Sequence, residues 1–194
     1  MNLKRKLLDV LFIVVLGTVS VALLLAAQSY SAPAVKRFQE TRLKTNILTA
    51  AGIPWTPADF RDVFEQRVTE QTRGKTAWFV ADSLVIYEFK GRGLWGMIEG
   101  IATFDSAINT IISVRVLSQE ETPGLGDRIA DPKYLVTYRG KTAAAPLDLA
   151  MRHKAEAENE VDAISGATLS SQALLKIVSE AAARLRAVVK GGTS

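Results

Sequence analysis

The longest hydrophobic stretch of the chain is Val10–Ala27, which holds eighteen residues without a charge. As a helix it would be about 27 Å long, close to the hydrocarbon thickness of a bilayer. The basic cluster Lys4-Arg5-Lys6 stands just before it, and by the positive-inside rule this cluster keeps the N-terminus in the cytoplasm. The pattern predicts a cytoplasmic segment over residues 1–9 and a transmembrane anchor over residues 10–28, with the rest of the chain on the outer side.

A cleaved signal peptide is the alternative interpretation of this segment, since a basic start and an apolar stretch are typical of both. The apolar stretch is longer than the hydrophobic region of a typical signal peptide. The best small-residue cleavage site, near Ser29–Ala32, runs into Pro33. We therefore expect a retained anchor. Four basic residues beyond it weaken the charge asymmetry that sets the orientation: Lys36, Arg37, Arg42 and Lys44.

Two helices are predicted after the anchor. Residues 34–51 carry apolar side chains at a roughly helical spacing and are followed by Gly52, as helices often are. They are expected to continue the anchor as a stalk. The sequence Thr56-Pro57-Ala58-Asp59 offers an N-cap, a proline for the first helical position and an early acid, which predicts a short helix over Phe60–Val68. Residues 29–75 are thus interpreted as a helical stalk and linker.

From residue 76 onward the pattern changes to β-branched and aromatic runs separated by glycines and polar turns, which is typical of strands. The last segment, Leu169–Lys190, instead places its apolar residues on one helical stripe. These patterns predict an α+β fold over residues 76–194, a largely antiparallel sheet packed with helices. The predicted strands are Thr76–Val80, Leu84–Phe89, Leu94–Phe104, Ile111–Leu117 and Tyr134–Tyr138. The stripe consists of Leu174, Ile177, Val178, Ala181, Leu185 and Val188.

Composition excludes several kinds of redox and binding site. The chain has no cysteine, which excludes disulfides, iron–sulfur ligation and thiolate chemistry. Its single histidine, His153, lies in a polar run and is interpreted as a surface residue, so no metal site is predicted. The net charge of +4 comes from scattered basic residues, which argues against a nucleic-acid-binding face. A redox role would therefore need another cofactor.

The segment Asp162–Ser170 reads Asp-Ala-Ile-Ser-Gly-Ala-Thr-Leu-Ser and lies directly before the last helix. Two small residues ahead of Thr168 let another backbone or a bulky group come close. Free amides at a helix start favour an anion through hydrogen bonds and the helix dipole, so a phosphate on Thr168 would be stabilised there. Helix capping is the simpler alternative, because three hydroxyl residues of the segment are good N-caps: Ser165, Thr168 and Ser170.

The same segment resembles the flavinylation motif of the FMN-binding domain family, Asp-x-x-Ser/Thr-Gly-Ala-Thr-x-Ser/Thr, and matches it at every fixed position. In that family a flavin transferase moves FMN from FAD onto the hydroxyl of the motif threonine. The resemblance implies that Thr168 carries FMN through a covalent phosphoester bond. It also implies that neighbouring residues contribute to the cofactor site: Ser165, Gly166, Ala167 and Leu169.

Two further segments resemble the same family, in the same order along the chain. Residues 91–96, Gly-Arg-Gly-Leu-Trp-Gly, resemble its Gly-x-Gly-Leu-Trp-Gly stretch, where glycines permit close approach and an aromatic ring lies against the flavin. Residues 121–126, Glu-Thr-Pro-Gly-Leu-Gly, resemble a loop that borders the flavin. Taken alone, each would be interpreted as a tight turn between strands. The resemblance implies flavin contacts by Leu94, Trp95, Glu121, Thr122, Leu125 and Gly126.

Within the family the chain most resembles the G subunit of the Rnf ion-translocating complex, and the related C subunit of the sodium-pumping NADH:quinone reductase shares its motifs. It departs from the family at Gln119, where a histidine is frequent, and at Met151–Lys154, in place of a stretch with a lysine and glycines. The resemblance implies electron transfer through FMN in a bacterial inner membrane, with the flavin domain on the periplasmic side.

The sequence carries neither a nicotinamide fingerprint nor a second cofactor motif, and no catalytic residue is assigned. The expected role is therefore an electron relay. Its expected partners are other subunits of a membrane redox complex, a flavin transferase for maturation, and the lipid bilayer. Two alternatives remain open: a membrane-tethered FMN-binding sensory or accessory module outside an ion pump, and a structural membrane subunit in which Thr168 only caps a helix.

Overall fold

The computed structural model describes residues 3–191 of the chain, with side chains from residue 8 onward. It contains two compact units, Met1–Leu43 and Lys44–Ser194. Helix α1, Leu3–Ala50, forms the described part of the first unit, and its C-terminal end belongs to the second. The helix predicted over residues 34–51 is confirmed as the C-terminal part of α1, and its role as a stalk stays a prediction.

The apolar side chains of the predicted anchor are exposed along α1, and Leu24, for example, is 70% exposed. The helix is long and apolar enough to cross a membrane, a criterion that a signal sequence would also meet. The two hydroxyl residues within Val10–Ala27 are satisfied within the helix: Thr18 and Ser20 each donate to a carbonyl four residues earlier, at 2.8 Å. The polar residues of this stretch therefore leave its apolar character intact.

The second unit opens with the end of α1 and a short helix, α2, Phe60–Arg67. This confirms the helix predicted over Phe60–Val68, but the predicted cap was wrong. Asp59 Oδ1 accepts a hydrogen bond from Thr56 N at 2.6 Å, and Pro57–Asp59 form a turn rather than the first helical residues. Because the carboxylate of Asp59 closes this turn, the helix starts only after it.

Five antiparallel strands in the order β1-β2-β3-β4-β5 form the main sheet of this unit, which confirms the predicted antiparallel sheet. Each strand pairs with its neighbour in sequence. Gly93 N donates to Gly96 O at 2.7 Å, so residues 93–96 form a turn and the strand predicted from Leu94 begins at Met97. The bounds are β1 Val68–Arg73, β2 Thr76–Ala81, β3 Leu84–Arg92, β4 Met97–Asp105 and β5 Ile111–Ser118.

Strand β1 was not predicted, because its sequence, Val-Thr-Glu-Gln-Thr-Arg, lacks apolar alternation. Only Val68 is buried, and the other five residues are exposed. The strand nevertheless pairs with β2 along its whole length. A polar edge strand of this kind is invisible to the hydrophobic pattern. The sheet therefore begins before residue 76, while the domain boundary at that residue stays a prediction.

The segment after β5 is helical, and the strand predicted over Tyr134–Tyr138 was wrong. Asp131 caps helix α3, Pro132–Leu135, by accepting a hydrogen bond from Lys133 N at 2.8 Å. Pro132 occupies the first helical position, where its missing N–H costs nothing. This Asp-Pro start signal outweighs the β-propensity of the tyrosines. Two 3-10 turns flank α3, Gly126–Ala130 and Val136–Tyr138.

Helix α4, Thr168–Lys190, packs on one face of the sheet. The predicted last helix and its stripe are confirmed, since Leu174, Val178 and Leu185 have no exposed surface, although Val188 is only partly buried. The core beneath α4 includes Val85, Tyr87, Phe89, Ile98, Ala102 and Phe104, which alternate along β3 and β4. A two-stranded parallel pair, β6 (Asp148–Ala150) and β7 (Glu160–Asp162), precedes α4 in the chain.

The opposite face of the sheet is also buried. Phe64 of α2 packs edge to face on Phe79 of β2, with ring centroids 6.1 Å apart. Ile47 and Leu48, at the end of α1, have no exposed surface. Ile86 and Ile101, which point to this face by strand alternation, are fully buried. The second unit is thus an α+β fold with apolar residues packed on both faces of its sheet.

Candidate functional site

Helix α4 begins at Thr168, directly after a glycine with a left-handed backbone. Gly166 has a φ of +80°, a conformation that residues with a Cβ rarely adopt. The N-cap position is Ala167, which makes no side-chain capping bond. Thr168 therefore lies inside the helix, and its interpretation as an N-cap was wrong. The helix start keeps its N-cap side open for another acceptor, such as an anion.

The hydroxyl residues around this helix start differ in accessibility. Ser170 is 3% exposed, and its Oγ donates to Glu121 Oε2 at 2.5 Å. Ser171 has no exposed surface and donates to a carbonyl one turn earlier at 3.0 Å. Thr168 is half-buried and Ser165 is exposed. Of these four hydroxyls, those of Thr168 and Ser165 lie where a bulky group could reach them.

An open cleft of about 570 Å³ lies beside Thr168. Part of its lining is the turn between β6 and β7, where Arg152, His153 and Lys154 follow one another, and another part is Asp162–Gly166. Positively charged side chains suit an anionic group such as a phosphate. Sequence analysis assigned no role in the site to these residues, although three basic or imidazole side chains in succession were the available signal.

Glu160 holds this turn in place. Its Oε2 accepts hydrogen bonds from the backbone N–H groups of Ala157 (3.1 Å) and Glu156 (3.0 Å), and His153 Nε2 lies 3.3 Å away. These contacts, led by the bond from Ala157, lower the pKa of Glu160. The stabilisation is therefore present at neutral pH and is lost as the pH falls through that lowered pKa. The side chain of His153 is 52% exposed, in agreement with its interpretation as a surface residue.

Glu121 connects the three motif segments. Its side chain is 4% exposed. One carboxylate oxygen, Oε1, accepts from Trp95 N at 3.1 Å, and the other, Oε2, accepts from Ser170 Oγ. The structure therefore brings residues 91–96 and 121–126 to the start of α4, as sequence analysis predicted for a shared site. Direct contact between Glu121 and a cofactor stays a prediction.

Four predicted contact residues carry large apolar side chains that are exposed. Trp95 is 70% exposed, Leu169 59%, Leu125 51% and Leu94 43%. Leu125 lies near the motif glycine, because a Cβ placed on Gly166 would be 3.7 Å from Leu125 Cδ2. Exposed apolar groups of this size are typical of a binding surface.

The remaining predicted residues have structural positions of different kinds. Thr122 is exposed, and its carbonyl oxygen accepts from Leu125 N and Asp127 N at 3.2 Å each, so it closes the loop. Gly126 and Ala167 are buried. Arg128, which sequence analysis did not single out, donates from Nη1 to Ser165 O at 3.1 Å. This bond ties the loop after β5 to the motif.

Two tyrosines pack against each other near the start of α4. The rings of Tyr134 and Tyr138 pack edge to face with centroids 5.8 Å apart, and their hydroxyl oxygens are 3.4 Å apart. Burial raises the pKa of Tyr134 and raises that of Tyr138 well above its ordinary value. Both side chains therefore stay neutral at physiological pH. Their role is packing. Sequence analysis missed this role because it placed both tyrosines in a strand.

Residues 93–183 match the family model of the FMN-binding domain. This region belongs to the FMN-binding domain family. The matched range contains the turn at Gly93–Gly96, the loop at residues 121–126 and the whole Asp162–Ser170 motif. The family predicted from the three motifs is thus confirmed, and with it FMN as the cofactor class of the domain.

Two relatives of the chain are both C subunits of the Na(+)-translocating NADH-quinone reductase. The chain is 39% identical over 92 residues to the C subunit of the Na(+)-translocating NADH-quinone reductase of Pasteurella multocida, covering 45% of this chain and 35% of that protein. The corresponding protein of Chlamydia caviae is 29% identical over 144 residues, covering 61% and 45%. The chain thus spans less than half the length of these relatives.

The crystal structure of Shewanella oneidensis NqrC superposes with a TM-score of 0.61 at 25% identity, covering 72% of this chain and 89% of that one. The C subunit of the Na(+)-translocating NADH-quinone reductase from Parabacteroides distasonis gives a TM-score of 0.65 at 22% identity, covering 82% and 95%. Because the Parabacteroides distasonis structure is only 22% identical, its likeness to this chain concerns the fold alone. Together they confirm the predicted α+β architecture.

Proposed function

We propose that this chain is a membrane-anchored, electron-carrying subunit of a redox-driven ion-translocating complex, with FMN attached to Thr168 by a phosphoester bond. The observation that supports it best is the position of Thr168. It is an accessible hydroxyl at the start of α4, beside a cleft with basic side chains, within an FMN-binding domain. Ser170 and Ser171, the two hydroxyl residues that follow Thr168 in α4, are buried.

The residues present fit FMN. The Thr168 oxygen would form the phosphoester, the open amides of α4 and the basic turn at Arg152–Lys154 would stabilise the phosphate charge, and Ser165–Ala167 would provide close backbone approach. The apolar side chains of Trp95, Leu125, Leu94 and Leu169 would contact the ring, with Thr122 and Gly126 bordering it. Bound FMN would supply transfer of one or two electrons, while the chain holds it in place.

The proposed partners follow from what the described chain contains. It has no nicotinamide fingerprint, so donor and acceptor sites belong to other subunits of the membrane complex. A flavin transferase supplies the attached FMN, and α1 crosses the bacterial inner membrane with the flavin domain on the periplasmic side. The relatives named above are subunits of a sodium-translocating reductase, and an Rnf-type complex is the other assembly proposed.

A second function is an FMN-binding accessory or sensory module that works outside an ion pump. Such a module would carry the same flavin and the same anchor. The two functions differ in whether polytopic membrane subunits accompany the protein.

Purification of the tagged full chain from its native membrane is the test of the proposed function. We expect a flavin-fluorescent band that survives a denaturing gel, together with co-purifying polytopic subunits. A fluorescent chain without partners would favour the accessory module. A chain without fluorescence would contradict covalent attachment and leave a structural membrane subunit.

Substitution of Trp95 by alanine is expected to keep covalent FMN but change its redox potential. An aromatic contact is worth about 0.5–1.5 kcal/mol beyond buried area. If it stabilises one oxidation state of the flavin alone, its loss shifts the potential by roughly 20–60 mV for a one-electron couple. Leu125→Ala is expected to shift the redox potential with the same sign as Trp95→Ala, but by a smaller amount. Potentiometric titration followed by visible absorbance measures both.

Val136→Ala is the control for these variants, because Val136 is also an exposed apolar residue, 58% exposed, but lies in the 3-10 turn after α3. It should leave the potential unchanged. Unaltered spectra and potentials in a chain that carries both Trp95→Ala and Leu125→Ala would remove these residues from the flavin site.

A further inference from the structure

We infer that Glu121 is a positioning residue that fixes the distance between the two sides of the proposed flavin site. Its buried carboxylate joins the helix start that carries Thr168 to the turn that carries Trp95. The contacts are Ser170 Oγ to Oε2 at 2.5 Å and Trp95 N to Oε1 at 3.1 Å. Ser170 lies two residues after Thr168 in the same helical turn. The inference rests on the proposed function, because it concerns the gap between attachment residue and ring contact.

A carboxylate suits this junction because two donors converge on it. Each oxygen accepts one hydrogen bond, so each donor has its own acceptor atom. A buried polar group is costly unless it is hydrogen-bonded, and these two bonds offset that cost. An apolar side chain of similar size would leave the Trp95 N–H and the Ser170 hydroxyl without this acceptor. The position therefore requires a hydrogen-bond acceptor, and side-chain volume alone would not meet the requirement.

Two motif glycines leave room for the carboxylate. A Cβ on Gly126 would lie 2.8 Å from Ser170 Oγ and 3.0 Å from Glu121 Cβ, and a Cβ on Gly93 would collide with Glu121 Oε1. The close packing around Glu121 thus accounts for both glycines without a direct flavin contact. The packing around Glu121 thus involves one further residue in each motif segment: Gly93, Gly126 and Ser170.

The neighbouring residue, Glu120, offers a matched contrast. It carries the same charge one position earlier but is exposed. Its Oε2 accepts a longer hydrogen bond, from Met97 N at 3.4 Å. Glu120 therefore approaches the same turn without the buried link to α4. A comparison of the two residues separates the effect of the link from the effect of a nearby negative charge.

The test uses the full chain in detergent, as wild type and as Glu121→Ala, Glu121→Gln and Glu120→Gln. Hydrogen exchange reports on the Trp95 amide, and visible absorbance and redox titration report on the flavin. Loss of the hydrogen bond from Trp95 N to Glu121 Oε1 should make Trp95 exchange about ten- to a hundredfold faster in Glu121→Ala. The same variant should keep covalent flavin but change its spectrum and potential.

Glu121→Gln should keep the Trp95 amide exchange, and the spectrum and potential of the flavin, close to those of the wild type. The glutamine oxygen can accept from Trp95 N while its amide donates to the Ser170 hydroxyl, which is able to rotate. Exchange at Trp95 should then stay within about threefold of wild type. Glu120→Gln should match wild type in exchange and spectrum.

The inference is overturned if Glu121→Ala leaves Trp95 exchange unchanged. It is also overturned if exchange rises while the flavin spectrum and potential stay as in wild type, because the link would then be merely structural. Should Glu121→Ala fail to fold, Ser170→Ala removes one of the two bonds, and an unchanged spectrum in that variant counts against the inference. A wild-type chain without covalent flavin would contradict the proposed function, while Trp95 exchange would still decide whether the link exists.

Discussion

Replacement of Thr168 by alanine is expected to give a folded, membrane-bound chain that carries no covalent flavin. The loss should be complete, since the threonine oxygen would itself be part of the phosphoester. The fold should be little affected, because alanine is a good helix former and Ala167 occupies the cap position. Intact mass and flavin fluorescence after denaturation measure the adduct.

The control variants separate Thr168 from its neighbours. Ser165→Ala is the sharper control, because Ser165 is exposed and lines the same cleft; it should keep the adduct. Ser171→Ala should keep it as well. Thr168→Ser retains a hydroxyl but loses the β-methyl group that restricts its rotamer, so reduced attachment is expected. Peptide fragmentation that places the adduct on Ser165, or full retention by Thr168→Ala, would sink the assignment.

Protease added to intact spheroplasts is expected to digest the whole domain that follows residue 28. The basic cluster Lys4-Arg5-Lys6 precedes the apolar run, and by the positive-inside rule we expect this cluster in the cytoplasm. The effect should be all or none, because a folded domain does not cross the bilayer after insertion. Immunoblotting against a C-terminal tag follows the digestion, and a cytoplasmic protein should stay intact as the control.

Two other results would each change the topology. Protection of the tagged domain in intact spheroplasts would place it in the cytoplasm. A mature N-terminus near Ala32, determined by N-terminal sequencing, would mean that residues 1–31 are a cleaved signal peptide. A mature N-terminus near Ala32 would contradict the predicted membrane anchor but would not affect the proposal that Thr168 carries FMN.

Elements with strong local patterns were predictable from the sequence. The stripe of α4 and the apolar run of α1 each repeat one signal over many residues. Strand β1 and helix α3 were missed for opposite reasons. The polar β1 owes its conformation to pairing with β2, which is a long-range cause. The tyrosines of residues 134–138 have β-propensity, but the Asp131 cap decides the local conformation.

The candidate site was predictable as a set of segments, whereas the contacts between them were not. The bonds of Glu121 reach residues 26 and 49 positions away in sequence, and neither partner is suggested by local spacing. Trp95 takes part through its backbone N–H, which every non-proline residue has. The basic turn at Arg152–Lys154 enters the site through the pairing of β6 with β7, two strands of only three residues each.

The end of α1 sets a limit on how far a soluble fragment of this protein can be shortened. Full burial of side chains such as Ile47 and Leu48 is worth about 1.5–3 kcal/mol each. Lys44 adds an ion pair with Glu65 at 3.6 Å. A fragment that starts at residue 76 would lose these groups and β1, so the edge of β2 and the apolar face around Phe79 would meet water and favour aggregation. A fragment from residue 44 onward keeps both faces of the sheet covered.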